Sequence, residues 1–137
     1  MTYSGGCSCG AVRYETSEAP VIQGNCHCKH CQKTTGSAYS ATLFFPIQSV
    51  KIQGETKSFS AAGESKTTTI VFCPSCGTQL LTKPVTMSQL IGVRAGTLDN
   101  PSLYKPSADI FVGSAASWDH MDPSIPKFEA YPPMGDA

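Results

Sequence analysis

Hydrophobic positions fall in short runs separated by turn residues, and no window of twelve or more residues repeats them at helical spacing. "AVRYE" (11–15), "SAYSATLFF" (37–45), "SVKIQ" (49–53), "SKTTTIVF" (65–72), "TQLLTK" (78–83) and "SQLIGVRAG" (88–96) are rich in β-branched and aromatic residues, and each is predicted as a strand. Turn signals lie between them: "QGE" at 53–55, "AGE" at 62–64 and "DNPS" at 99–102. The one helical candidate is a turn or two within "CKHCQKTTG" (28–36), where Gly36 suits the residue that ends a helix. The tail "IPKFEAYPPMGDA" (125–137) is Pro-rich and is expected to run irregularly over the surface. The pattern implies a mainly β chain forming one domain over residues 1–137.

Composition narrows the function. Ten basic and ten acidic residues cancel, so nothing suggests the basic patch that grips phosphates, and no nucleic-acid partner is expected. The start, "MTYSGGCSCG", has neither a basic segment nor an apolar run of signal length, and "ATLFFPI" and "TIVFC" are too short to cross a bilayer. The expected location is cytoplasmic, with no membrane partner. Thiols stay reduced there and disulfides are rare, so seven cysteines need another explanation.

They form three clusters: Cys7-x-Cys9, Cys26-x-Cys28-x-x-Cys31 and Cys73-x-x-Cys76. Thiolates two or three positions apart can bite one tetrahedral metal, and a second pair completes it. In "FCPSCGT", Pro74 presets the backbone and Gly77 tolerates the turn that aims amides at sulfur. "GGCSCGA" has the same character. All-thiolate ligation with no iron–sulfur spacing points to zinc. Two closed sites would need eight cysteines, whereas seven divide into four plus three, and a three-ligand zinc has an open coordination position. Spacing leaves two pairings open. The two simple pairs can share one metal and leave the triple as the open site, or Cys28 and Cys31 can join Cys73 and Cys76. His27 or His30 is an alternative fourth ligand for the triple. In an extended segment His27 points away from its flanking cysteines, and ligation by His30 would strain the short chelate ring beside Cys31.

Together these motifs resemble the glutathione-dependent formaldehyde-activating enzymes, whose domain also occurs in centromere protein V. The likeness runs over about residues 5–132: "GGCSCGAVRY", "CHCKHCQ", "FCPSCG", "DIFVGSAASW" (109–118) and a Pro-x-Phe-x-x-Tyr-Pro end. The resemblance implies a β-tent-type fold of two antiparallel sheets pinned by zinc, with two zinc ions per chain. It further implies a structural zinc on Cys7, Cys9, Cys73 and Cys76 and a catalytic zinc on Cys26, Cys28 and Cys31. The implied activity is a carbon–sulfur lyase that condenses formaldehyde with glutathione.

Three thiolates lower the Lewis acidity of zinc, which suits holding a thiol as thiolate or polarising a carbonyl better than making hydroxide. The expected partners are therefore a glutathione-like thiol and a small aldehyde. No residue stands out as the acid–base group; His27, His30, His120, Asp119 and Tyr39 are candidates. Trp118 either walls the pocket or, as is usual for a lone Trp, packs in the core. Lys29, Lys33 and Arg94 are candidates to meet glutathione's carboxylates. A non-catalytic zinc-binding interaction module is the alternative from another class. A methionine-sulfoxide-reductase-like role would need a free nucleophilic cysteine, which four plus three does not leave.

Overall fold

The computed structural model describes residues 1–61 and 68–132. Among these residues ten strands make two sheets. The smaller has the order β1-β2-β5, from Tyr3–Gly6, Arg13–Thr16 and Lys51–Gln53. The larger contains β3 (Ile22–Cys26), β4 (Ser40–Pro46), β6 (Lys57–Ala61), β7 (Thr68–Phe72), β8 (Gln79–Pro84), β9 (Leu90–Arg94) and β10 (Asp109–Ile110), in the order β10-β3-β4-β9-β8-β7-β6. Pairing is antiparallel except for the two-residue β10, which lies parallel to β3. The one α-helix, α1 (Lys29–Thr35), ends at Gly36 with φ 65°, as the sequence led us to expect.

The predicted strands at 11–15, 37–45, 49–53, 78–83 and 88–96 overlap β2, β4, β5, β8 and β9. The segment 65–72 overlaps β7, and its first three residues lie outside the described range, as does the turn at 62–64. The sequence reading missed β1, β3, β6 and β10. β1 reads "YSGG", and β10 is held from outside by the tail rather than by its own pattern.

Alternation gives the large sheet two different faces. On β4, Leu43 and Phe45 are fully buried in the core, joined by Ile91 and Val93 of β9 and by Leu80 and Leu81 of β8. The smaller sheet closes that core with Val12, Tyr14 and Tyr3, the last edge-on to Phe45 at 5.2 Å. The intervening positions, Thr42 and Phe44 on β4, Gly92 and Arg94 on β9, and Thr82 on β8, register as neighbours on the other face. Gly92 sits among them because there is no room for more: a Cβ would stand 2.5 Å from Thr82 Cγ2 and 2.7 Å from Thr42 Cγ2. Gly92→Val is therefore expected to cost roughly 2 kcal/mol by overpacking, read as a lowered urea midpoint with an unchanged slope.

The described part of the Pro-rich tail, 125–132, runs irregularly over the surface as expected, and Pro126, Phe128, Tyr131 and Pro132 line a cavity on this second face. Asp109 N donates to Pro126 O and Phe128 N to Asp109 O, both at 2.9 Å, and the Phe111 and Tyr131 rings meet edge to face at 5.1 Å. Trp118 is not in the core: it is 65% exposed, and it does not line the cavity described below.

Candidate metal centres

Two turns of the same design bring the first cluster together. After β1, Cys7 N donates to Val12 O and Gly10, at φ 82°, turns back onto Cys7 O. Between β7 and β8, Cys73 N donates to Thr78 O and Gly77, at φ 79°, turns back onto Cys73 O. Backbone amides are thereby aimed at sulfur: Val12 N lies 3.2 Å from Cys7 Sγ and Ser75 N 3.4 Å from Cys73 Sγ. The four sulfurs of Cys7, Cys9, Cys73 and Cys76 lie within 4.8 Å of one another. Cys7–Cys9 and Cys9–Cys73 separations are 3.6 and 3.8 Å. Zn–S bonds of about 2.3 Å make tetrahedron edges of about 3.8 Å, so this donor set fits zinc. Hydrogen bonding from Thr78 draws the Cys76 thiol down to about 5. Cys9 goes the other way, to about 11: the Ala11 amide pulls it down, but crowding by Cys7 and the other sulfurs outweighs that pull. Since Cys7 and Cys9 follow a strand of the small sheet and Cys73 and Cys76 join strands of the large one, the cluster pins the sheets together.

The second cluster is local. Cys26 ends β3, Cys28 is the residue capping α1, and Cys31 lies in the first turn of that helix. Cys28 Sγ accepts from Cys31 N at 3.3 Å, doing for the helix start what a Ser or Asp oxygen usually does. The three sulfurs lie within 4.8 Å of one another, and no His, Asp or Glu among the described residues joins the group. Thiol sharing with Cys28 and Cys31, together with burial, pushes the Cys26 proton far up. Cys26 draws Cys31 down, but Cys28 and burial raise it overall. Three partly buried thiols cannot all ionise this close without a cation among them, which is the chemistry of a metal site.

The candidate side chains fall into different roles. His27 is fully buried, with Nδ1 at 2.5 Å from Asp119 Oδ2 and Nε2 at 2.9 Å from Asp109 Oδ1, so neither nitrogen can turn to the cysteines. Tyr39 packs against its ring at 5.0 Å. Asp109 also accepts from Asn25 Nδ2 and Lys127 Nζ, and Tyr104 O–H donates to Asn25 Oδ1. Burial alone would raise the Asp109 carboxyl; the bonds from His27, Lys127 and Asn25 hold it below its usual range. The candidate list contained His27, Asp119 and Tyr39 but not Asp109, Asn25, Tyr104 or Lys127. Asp109 stood at the head of the quoted "DIFVGSAASW", where an acid before an apolar triplet was the available signal. Lys29, Lys33 and His120 are exposed.

A cavity of about 350 Å³ opens on the second face of the large sheet, walled at one end by Cys26, Cys31 and His30. A more open cleft of about 400 Å³, lined by hydroxyls of Thr34, Thr35, Tyr39, Ser40 and Thr97 and by Gln79, adjoins it. Arg94 lines both. Its Nη1 donates to Thr42 Oγ1 at 3.1 Å. Burial lowers its proton affinity, and the nearby thiolates of Cys31, Cys26 and Cys28 oppose that shift.

The fold is mainly β and carries one four-cysteine and one three-cysteine cluster that could each hold a metal ion, with donor sets consistent with zinc. The family profile described as glutathione-dependent formaldehyde-activating enzyme matches residues 2–114, and the chain belongs to that family. In fold it is similar to a Rhodobacter sphaeroides protein solved by crystallography as a structural genomics target. The TM-score is 0.55 at 22% identity, over 75% of this chain and 96% of that one. No curated protein matches the sequence.

Proposed function

We propose that this chain is a zinc-dependent carbon–sulfur lyase of the formaldehyde-activating type, acting in the cytoplasm and joining a small aldehyde to glutathione or a related thiol at Cys26, Cys28 and Cys31. The observation that carries this reading is a three-sulfur cluster with no fourth protein ligand among the described residues and a cavity on its open side. Engagement of both His27 nitrogens by carboxylates favours the open site over a closed one. The cluster of Cys7, Cys9, Cys73 and Cys76 holds the second, structural zinc in this reading.

A zinc ion in the triple site supplies a Lewis acid that lowers the pKa of an incoming thiol. The protein's own residues do the rest by position. The three cysteines fix one end of the reaction space, and the guanidinium of Arg94 brings positive charge beside them. In the reaction the thiol sulfur bonds to the carbonyl carbon, the carbon–oxygen π bond opens, and the thiol proton ends on that oxygen. His30, on the cavity lining beside Cys31, is the candidate in this reading to carry that proton.

The test is Cys28→Ser. Metal content is expected to fall from two per chain to one with the fold retained. The thiol-dependent condensation rate, measured above the spontaneous reaction, is expected to fall to background. A variant that keeps full activity with one metal would overturn the reading.

A further inference from the structure

The cavity beside Cys26 and Cys31 does not suit formaldehyde, which has two heavy atoms. Its volume of about 350 Å³ lies within the range of small-molecule sites. Its walls are selective: Ile22 and Phe44 from the sheet face Met87, Ile110, Phe128 and Tyr131 from the turn after β8, from β10 and from the tail. Arg94 is the one fully charged side chain among them, with His30 the other titratable group besides the cysteines and Tyr131. Glutathione, with two carboxylates and an ammonium, would lose its water there against hydrocarbon. The adjoining cleft, rich in hydroxyls, suits such a molecule better.

The buried side-chain atoms without hydrogen-bond partners mark the same place. Among the described residues these are His30 Nε2, Arg94 Nε and Gln79 Oε1. The His30 side chain belongs to the lining of the apolar cavity, Gln79 to that of the polar cleft, and Arg94 to both. Buried polar atoms are nearly always satisfied, so three orphans on side chains that line two adjoining cavities set this region apart from the rest of the fold.

We infer that the apolar cavity binds an organic carbonyl compound of several carbons, an aliphatic or aromatic aldehyde, with its hydrocarbon body against Ile22, Phe44 and Phe128 and its oxygen toward the end that Arg94, Cys26 and Cys31 line. This rests on the condensing reaction proposed above and assigns its carbonyl substrate. The thiol enters through the polar cleft, which Gln79 and Arg94 line. The step itself is unchanged in its balance: one C–S bond forms, one C=O π bond is lost, and the thiol proton moves to oxygen, with no oxidant or reductant.

The experiment has two arms. In the first, the metal-loaded protein is titrated by calorimetry with 1-hexanol, the unreactive counterpart of hexanal, and with methanol. Hexanol is expected to bind and methanol not, since each buried methylene strengthens binding roughly fourfold. Ile22→Trp and Met87→Trp, which add bulk to the lining from β3 and from the turn after β8, are expected to abolish hexanol binding with metal content and circular dichroism unchanged. In the second arm, condensation with glutathione is measured for hexanal and formaldehyde, and kcat/KM is expected to favour hexanal by at least about tenfold. Failure of hexanol to bind the folded, loaded protein overturns the inference even if formaldehyde condenses, and so does a preference for formaldehyde. Hexanol binding that both Trp variants block, without turnover of either aldehyde, keeps the apolar ligand class and overturns the condensing reaction instead. Should one Trp variant misfold, the other and the hexanol–methanol difference decide.

Discussion

Replacing Cys73 by Ser is expected to leave the chain unable to hold its native fold at ordinary temperature. Cys73 is fully buried, and its sulfur stands 3.8 Å from Cys9 across 64 residues of sequence. Small structural zinc sites bind with apparent free energies of about 10–16 kcal/mol, whereas a domain's whole stability is about 5–15 kcal/mol. A single missing ligand therefore removes an amount comparable to everything that keeps the fold in place. Without a metal, the small sheet would rely on the shared core, the Tyr3–Phe45 contact included, and on bonds to the segment after β9: the Gly5–Leu98 bridge, Tyr14 to Thr97 and the half-exposed Arg13–Asp99 pair. Thermal unfolding followed by circular dichroism, with and without a strong chelator, checks this. A cooperative transition at unchanged temperature after both metals are removed would contradict it.

The second large effect is expected at His27. Its ring is the junction through which the segment carrying Asp109 and Asp119 grips the loop between Cys26 and Cys28. His27→Ala leaves the carboxylates of Asp109 and Asp119, 2% and 1% exposed, without their shared partner. Such a loss costs roughly 3–5 kcal/mol. The flanking cysteines then lose their fixed spacing, so the metal in the triple site is expected to be lost while the four-sulfur metal stays. Metal analysis and a urea melt on the same sample separate the two consequences. Acid should act on this junction as well. Asp109 titrates below its reference value of 3.8 in the folded chain. Its contribution is therefore fully present above that value and disappears as the pH falls through the lower, folded one.

Some of this was legible in the sequence and some was not. Strands such as β4 and β9 announced themselves because Leu43, Phe45, Ile91 and Val93 are the residues a core needs. β1 stayed hidden because Gly5 and Gly6 give no hydrophobic signal. Their meaning is steric: a Cβ on Gly5 would stand 2.2 Å from Thr97 O, a residue more than ninety positions away. The cysteine clusters were readable because metal chemistry leaves a local spacing. The environment of His27 was not, since Asp109 and Asp119 arrive from 82 and 92 residues downstream. The cavity was hidden for the same reason. Its sheet side includes Thr42, Phe44 and Thr82, which read as ordinary strand positions, and its other side includes Pro126, Phe128 and Tyr131 of a tail with no pattern of its own.

The unequal reach of the two clusters sets an order of assembly. Cys26, Cys28 and Cys31 leave the ribosome within six residues of one another, and closing so short a loop costs little entropy. The other cluster must wait for Cys73 and Cys76 before it exists at all. If the triple holds zinc as proposed, a nascent chain would offer this three-thiolate donor before Cys73 and Cys76 exist. Asp109 and Asp119, which stiffen that donor, follow His27 by 82 and 92 residues. Metal captured early would be held by a pliable chelate and locked only once that segment has been made, so the supply of zinc during translation would bear on how much of the protein matures.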